Sequence, residues 1–164
     1  MYNRRVPKNH PRLEANGAID ELNAALGIAR AAVKDEFITT KLFQIQKDLV
    51  DLMGEIATES EDLERYAKDG YNIIDSDLPA LLETWIKEIE SQKISFKHWA
   101  TPGATMESAT LDMGRTIARR AERRVEDLVI SGLVANRCIS IYLNRMSDLL
   151  WLMARWVETK RGVA

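Results

Sequence analysis

Apolar residues recur at three- and four-residue steps along nearly the whole chain, and no sustained strand-like alternation sits between turn residues. Leu13, Ala15, Ala18, Ile19, Leu22, Ala25, Leu26, Ala29 and Val33 form one stripe, the signature of a single helical face. Pro11 sits where the first turn of a helix tolerates it. A second stripe follows Asp35: Phe37, Ile38, Leu42, Ile45, Leu49, Leu52, Met53 and Ile56. Residues 58–75, mostly polar around Gly70, are expected to be a long connection. Asp77 is the expected cap of a third helix carrying Leu78, Leu81, Leu82, Trp85, Ile86 and Ile89, with Pro79 in its opening turn. The run Phe96-Lys97-His98-Trp99-Ala100-Thr101-Pro102-Gly103-Ala104 cannot be continuous helix. A fourth helix is expected from about 105 to 129, with Gly132 marking its end. A fifth runs from about 135 to 160. The pattern predicts an all-α protein, a five-helix up-and-down bundle in one domain over residues 1–164.

Composition narrows the function classes. A chain of 164 residues buries roughly 70% of its unfolded surface, enough for a core without a disulfide or structural metal. The one cysteine, Cys138, excludes an internal disulfide framework. No apolar run approaches the ~18 residues of a membrane span, and the N-terminus lacks a secretory signal. With 23 basic and 25 acidic side chains, no global field recruits nucleic acid or anionic lipid. A cytoplasmic protein with neither a membrane nor a nucleic-acid partner is expected.

The chemistry concentrates in the fourth helix, in Arg115 and Arg119-Arg120-Ala121-Glu122-Arg123-Arg124. Arg115, Arg119 and Arg123 are four apart and share a face, with Glu122 beside them. Crowded guanidinium groups repel unless something negative neutralises them. One reading is a solvated face laced by Glu122, Glu126 and Asp127. The other is a polyphosphate clamp, because guanidinium forks match phosphate oxygens. Glu122 could orient the arginines or hold a magnesium ion beside the phosphates. The last helix carries Asn144, Ser147 and Asp148 near its apolar side, either closing a helix–helix network or facing a ligand. On the first helix, Asp20 would need an arginine partner if buried. His10 and His98 are far apart and do not read as a metal site.

These segments resemble the PduO-type ATP:cob(I)alamin adenosyltransferases. Arg5-Val6-Pro7-Lys8-Asn9-His10 and Gly17-Ala18-Ile19-Asp20-Glu21-Leu22-Asn23 look like the start of that family's first long helix. Ile45-Gln46-Lys47-Asp48-Leu49 resembles its second helix, and Pro102-Gly103-Ala104 takes the place of its Pro-Gly-Gly turn. Arg119-Arg120-Ala121-Glu122-Arg123-Arg124-Val125 and Leu143-Asn144-Arg145-Met146-Ser147-Asp148-Leu149-Leu150 match its two strongest signatures.

The resemblance implies a homotrimer with sites between subunits, ATP and Mg2+ as ligands, and cobalamin as substrate. The implied reaction transfers the 5′-deoxyadenosyl group of ATP to cob(I)alamin, releasing triphosphate, with a reductase supplying the electron. Residue by residue, it implies that Arg119, Glu122 and Arg123 serve the triphosphate and magnesium. Arg115 and Arg120 support them, Lys8 lies near the phosphates, and Asn144 contacts the nucleotide. Asp20 would pair with Arg119 across the subunit interface, and Asp148 would lie near the corrinoid. Trp99 stands where the family has a phenylalanine that displaces cobalt's lower axial ligand.

Two departures accompany the match. Ala104 replaces the second glycine of the turn. Ahead of Arg5 the family carries a segment rich in glycine, aspartate and threonine that wraps the phosphates. Four residues precede Arg5 here, so a domain lacking that segment is expected. The alternative function is therefore a catalytically impaired corrinoid-binding or regulatory paralogue of the same fold.

Overall fold

A computed structural model describes residue 2, residues 4–94 and residues 100–163. The five expected long helices are present: α1 (Pro11–Ala32), α2 (Glu36–Ile56), α4 (Asp77–Glu90), α5 (Met106–Ile130) and α6 (Cys138–Arg161). A short α3 (Leu63–Lys68), entered through a 3-10 turn at Ser60–Asp62, is the addition. The described residues contain no strand, and no helix among them is long and apolar enough to cross a membrane.

Local chemistry explains the boundaries. His10 caps α1 through its Nδ1, which accepts the Arg12 N–H at 3.2 Å. Asp35 caps α2 by accepting the N–H groups of Phe37 and Ile38. Burial opposes charge on the Asp35 carboxyl, but Lys160 at 2.6 Å and those two amides hold it below the usual carboxylate range. Thr105 and Ser108 form a reciprocal capping box at the start of α5. Gly132, just past the end of that helix, has φ +74°, a conformation natural to glycine.

Three boundaries correct the sequence reading. The connection after α2 is not featureless, because Tyr66 of α3 is fully buried and stacks on Tyr71 at 4.8 Å. Its hydroxyl occupies the space a Cβ at Gly54 would need. One aromatic anchor on a six-residue helix leaves no periodic stripe to detect. Asp77 is the first residue of α4 rather than its cap, and its N–H donates to Asp75 Oδ1 at 2.9 Å. The last helix begins at Cys138, not near 135. Asn136 accepts the Cys138 N–H and donates its amide to Glu55 and to the Ile74 carbonyl, which fixes the turn.

Pairings along the helices give alternating directions. Gln46 donates to the Asn23 carbonyl and Asn16 to that of Met53, which makes α1 and α2 antiparallel. Glu107 accepts from the Lys34 N–H near one end of the bundle, and Arg124 lies 3.5 Å from Glu14 near the other, so α1 and α5 are antiparallel. Glu122 with Asn144 and Asp112 with Arg155 make α5 and α6 antiparallel. Between the helices lie Leu22, Leu26, Leu42, Leu49, Leu111, Leu128, Leu143 and Leu150, none with accessible surface. Each such side chain contributes roughly 1.5–3 kcal/mol on burial.

Two buried polar groups are held in this core by strong partners. The Tyr142 hydroxyl donates to Asp48 at 2.6 Å, and burial together with that carboxylate pushes the phenol well above its usual range. Arg12, 5% exposed, is the main anchor at the N-terminal end of α1. It donates to the carbonyls of Ile56, the last residue of α2, of Thr58 just beyond it and of Leu133 just after α5, and it pairs with Glu59 at 2.9 Å. A cation at helix C-termini is favourable on charge grounds as well.

Arg12→Met keeps the apolar stem but orphans those carbonyls and Glu59. It should lower unfolding stability by about 3 kcal/mol in urea titration. A loss under about 1 kcal/mol would contradict the anchoring role assigned to the guanidinium.

Candidate functional site

The arginine-rich segment of α5 divides into two rows that the bundle treats differently. Arg120 and Arg124 face α1, where Arg120 pairs with Glu21 and Arg124 with Glu14. Their charge is met within the chain. Arg115, Arg119 and Arg123 lie on the row beside α6. Arg119 Nη1 is 2.7 Å from Glu122 Oε2, one turn along the same helix, while its side chain stays 45% exposed. Arg123 is exposed and forms no ion pair or hydrogen bond with a described residue. One positive charge, that of Arg123, therefore remains uncompensated beside the Arg119–Glu122 pair.

Glu122 is held from the other side by α6. Asn144 Nδ2 donates to Glu122 Oε1 at 2.9 Å, and Arg145 donates to Asn144 Oδ1 at 3.0 Å. The asparagine amide is thus used at both ends, and its orientation is set. Arg145 reaches onward to Glu83 of α4 at 3.6 Å and to Asp148 at 3.4 Å. A polar chain runs from α4 through Arg145, Asn144 and Glu122 to Arg119. Of the two sequence readings of the last helix, the bonds seen are those of a helix–helix network. Asn144 closes a helix–helix bond, Ser147 is buried and donates back to the Asn144 carbonyl, and Asp148 stays exposed.

The remaining sequence-predicted residues fall in three places. Lys8 is exposed ahead of α1, at the end of the bundle where Arg12 anchors Leu133 just beyond α5. Asp20 is exposed on α1 and pairs with no described residue of its own chain. Trp99 lies outside the described residues. Ala104 is exposed, and the left-handed backbone of that turn belongs to Gly103, φ +113°, so the missing second glycine removes no required positive φ at 104.

Among the described residues, no group of three or more His, Cys, Asp or Glu side chains gathers as a metal cage. Glu122 Oε2 is buried without a hydrogen bond, its one neighbour being the Arg119 ion-pair contact. A single carboxylate oxygen of this kind suits a magnesium ion held mainly by phosphate oxygens and water. A separate cavity of about 260 Å³ lies at the opposite end of the bundle, lined by Val33, Lys34, Asp35, Glu107, Lys160 and Arg161 among others. Four of its five charged side chains are already paired, Lys160 with Asp35 and Arg161 with Glu107 at 2.8 Å.

Sequence reasoning passed over Arg145, Asp112, Arg155 and Glu158. Asp112 and Arg115 are three apart, as are Arg155 and Glu158, so intrahelical pairing was readable. The cross-helix bond of Arg155 to Asp112 at 2.7 Å was not, since it depends on helix register.

A family model for cobalamin adenosyltransferase matches residues 1–157. The chain is 38% identical over 151 residues to corrinoid adenosyltransferase PduO of Salmonella typhimurium, covering 92% of this chain and 44% of that protein. It is 33% identical over 163 residues to a corrinoid adenosyltransferase of Bacillus subtilis, covering 97% and 80% respectively. The chain thus spans less than half the length of the PduO relatives and most of the Bacillus one. Among solved structures, a variant PduO-type ATP:corrinoid adenosyltransferase of Lactobacillus reuteri complexed with cobalamin and ATP superposes with a TM-score of 0.87. That match has 28% identity and covers 99% of this chain and 88% of the other. The family match over residues 1–157 and the identity to the Bacillus relative show that the chain belongs to the cobalamin adenosyltransferase family.

Proposed function

We propose that this chain transfers the 5′-deoxyadenosyl group of ATP to cob(I)alamin, giving adenosylcobalamin and triphosphate. The observation that carries the reading is the exposed Arg123, unpaired among the described residues, beside an Arg119–Glu122 pair whose carboxylate is fixed by Asn144. Family membership and the Lactobacillus relative, solved with cobalamin and ATP, support the choice of substrates.

The chemistry explains why such a row is useful. The cobalt(I) electron pair attacks C5′, a Co–C bond forms, the C5′–O bond breaks, and cobalt becomes formally Co(III). The bond electrons leave with triphosphate, whose negative charge grows through the transition state. Guanidinium groups already in place stabilise that charge without reorganisation. Arg119 and Arg123 take this role, with Arg115 beside them on the row. Arg120, balanced by Glu21, contributes field more than contact. Lys8 meets the phosphates from the α1 end, and Asn144 contacts the nucleotide. Glu122 orients Arg119 and is the carboxylate nearest a magnesium ion, which when bound would neutralise part of the phosphate charge.

The site is shared between subunits in this reading. Asp20 pairs with no described residue of its own chain and pairs with Arg119 of a neighbour in a homotrimer. Trp99 forms the apolar wall that displaces cobalt's lower ligand, and Asp148 lies on the corrinoid side. An electron-donating reductase supplies cobalt(I), and the cytoplasm, where thiols such as Cys138 stay reduced, is the compartment.

Arg119→Ala should lower kcat for adenosylcobalamin formation by about 100-fold or more, with helicity unchanged by circular dichroism since both residues favour helix. Unchanged turnover at saturating ATP would reject the clamp. Trp99→Ala should abolish the optical signature of four-coordinate cobalt(II) while sparing ATP binding; survival of that signature removes Trp99 from the role. Light scattering should give three times the 18.7 kDa chain mass. Asp20→Arg should weaken that trimer, and Asp20→Arg with Arg119→Asp should restore it. A monomeric wild type would contradict the shared site.

A further inference from the structure

We infer that Asp112 and Arg155 are positioning residues for the phosphate-binding row, holding Arg115 from behind. The inference rests on the phosphate role proposed for that row. Asp112, Arg155 and Glu158 are 2%, 3% and 5% exposed, and charges so deep persist only when paired. Arg155 Nε donates to Glu158 Oε2 at 2.7 Å and its Nη2 to Asp112 Oδ2 at 2.7 Å. The face of Trp151 lies 5.7 Å from this guanidinium.

Two carboxylates against one guanidinium leave one negative charge in excess. Arg115 balances it: its Nε donates to Asp112 Oδ1 at 3.3 Å. Asp112 is therefore a two-sided acceptor, with one oxygen on the buried Arg155 and the other on the partly exposed Arg115. The side-on bond uses the Arg115 Nε–H, and neither Nη group bonds a described residue. An arginine gripped at Nε keeps its terminal fork for two oxygens of a phosphate group. Arg115 stands one turn before Arg119, so the buried cluster aims the first member of the row.

The test is a double-mutant cycle read by ATP affinity. Wild type, Arg115→Ala, Asp112→Asn and the double variant are titrated with Mg-ATP by calorimetry, with thermal melts in parallel. Asp112→Asn should weaken ATP about tenfold, comparably to Arg115→Ala, and the double variant should bind no more weakly than Arg115→Ala alone. Multiplying effects, or an Asp112→Asn protein that melts earlier yet binds ATP normally, would overturn the positioning role. Should Asp112→Asn fail to fold, Asp112→Glu keeps the charge Arg155 needs while displacing the carboxylate by one methylene. It should still weaken ATP, and unaltered affinity would overturn the inference. A wild type that binds no ATP would overturn the phosphate reading itself, and this inference with it. A wild type that binds ATP with both Asp112 variants unaffected overturns the positioning role alone.

Discussion

The antiparallel contact of α5 with α6 is the constraint on which the rest depends. Two polar cross-links set its register, Glu122 with Asn144 and Asp112 with Arg155. The intervals between them are ten residues on α5 and eleven on α6, about 15 and 16 Å at the helical rise. The two helices therefore keep step, and neither link forms if one helix slips by a turn. Leucines between them supply most of the free energy, but apolar contact tolerates sliding that a hydrogen-bonded carboxylate does not. Register in turn decides which arginines have partners. The α1-facing row finds Glu14 and Glu21, whereas the α6-facing row is left with charge to spare.

That division reconciles stability with function. Five guanidinium groups in three turns would repel one another, and the fold pairs four of them with carboxylates, Arg115 with Asp112, Arg119 with Glu122, Arg120 with Glu21 and Arg124 with Glu14. Arg12 and Arg155 show the same economy in the interior. Each buried guanidinium is surrounded by acceptors, carbonyls for Arg12 and carboxylates for Arg155. Burial alone opposes charge on Arg155, yet Asp112 and Glu158 hold it above the usual arginine range. What stays exposed and unbalanced, Arg123 above all, marks where a multivalent anion gains most.

Much of this was legible in the sequence, for identifiable reasons. Long amphipathic helices announce themselves by period, so α1, α2, α4, α5 and α6 were all expected within a few residues of their observed ends. The early expectation for α6 failed because Asn136 spends its side chain on Glu55, Ile74 and Cys138, a tertiary bond with no local signature. The short α3 failed for want of length. The arginine row and the Asn144 signature were readable because their spacing is local. The roles of Arg145, Asp112 and Arg155 were not, because each acts through a residue on another helix. The resemblance supplied the reaction, which periodicity could not have done.

The central claim is that the arginine row holds an intact triphosphate while its C5′–O bond breaks. Phosphorus NMR on an anaerobic reaction of the wild-type protein with chemically reduced cobalamin, magnesium and ATP tests this most directly. The account predicts triphosphate and adenosylcobalamin appearing together in equal amounts. Corrinoid that stays unalkylated, or release of diphosphate and phosphate in place of triphosphate before any leaves the protein, would contradict it.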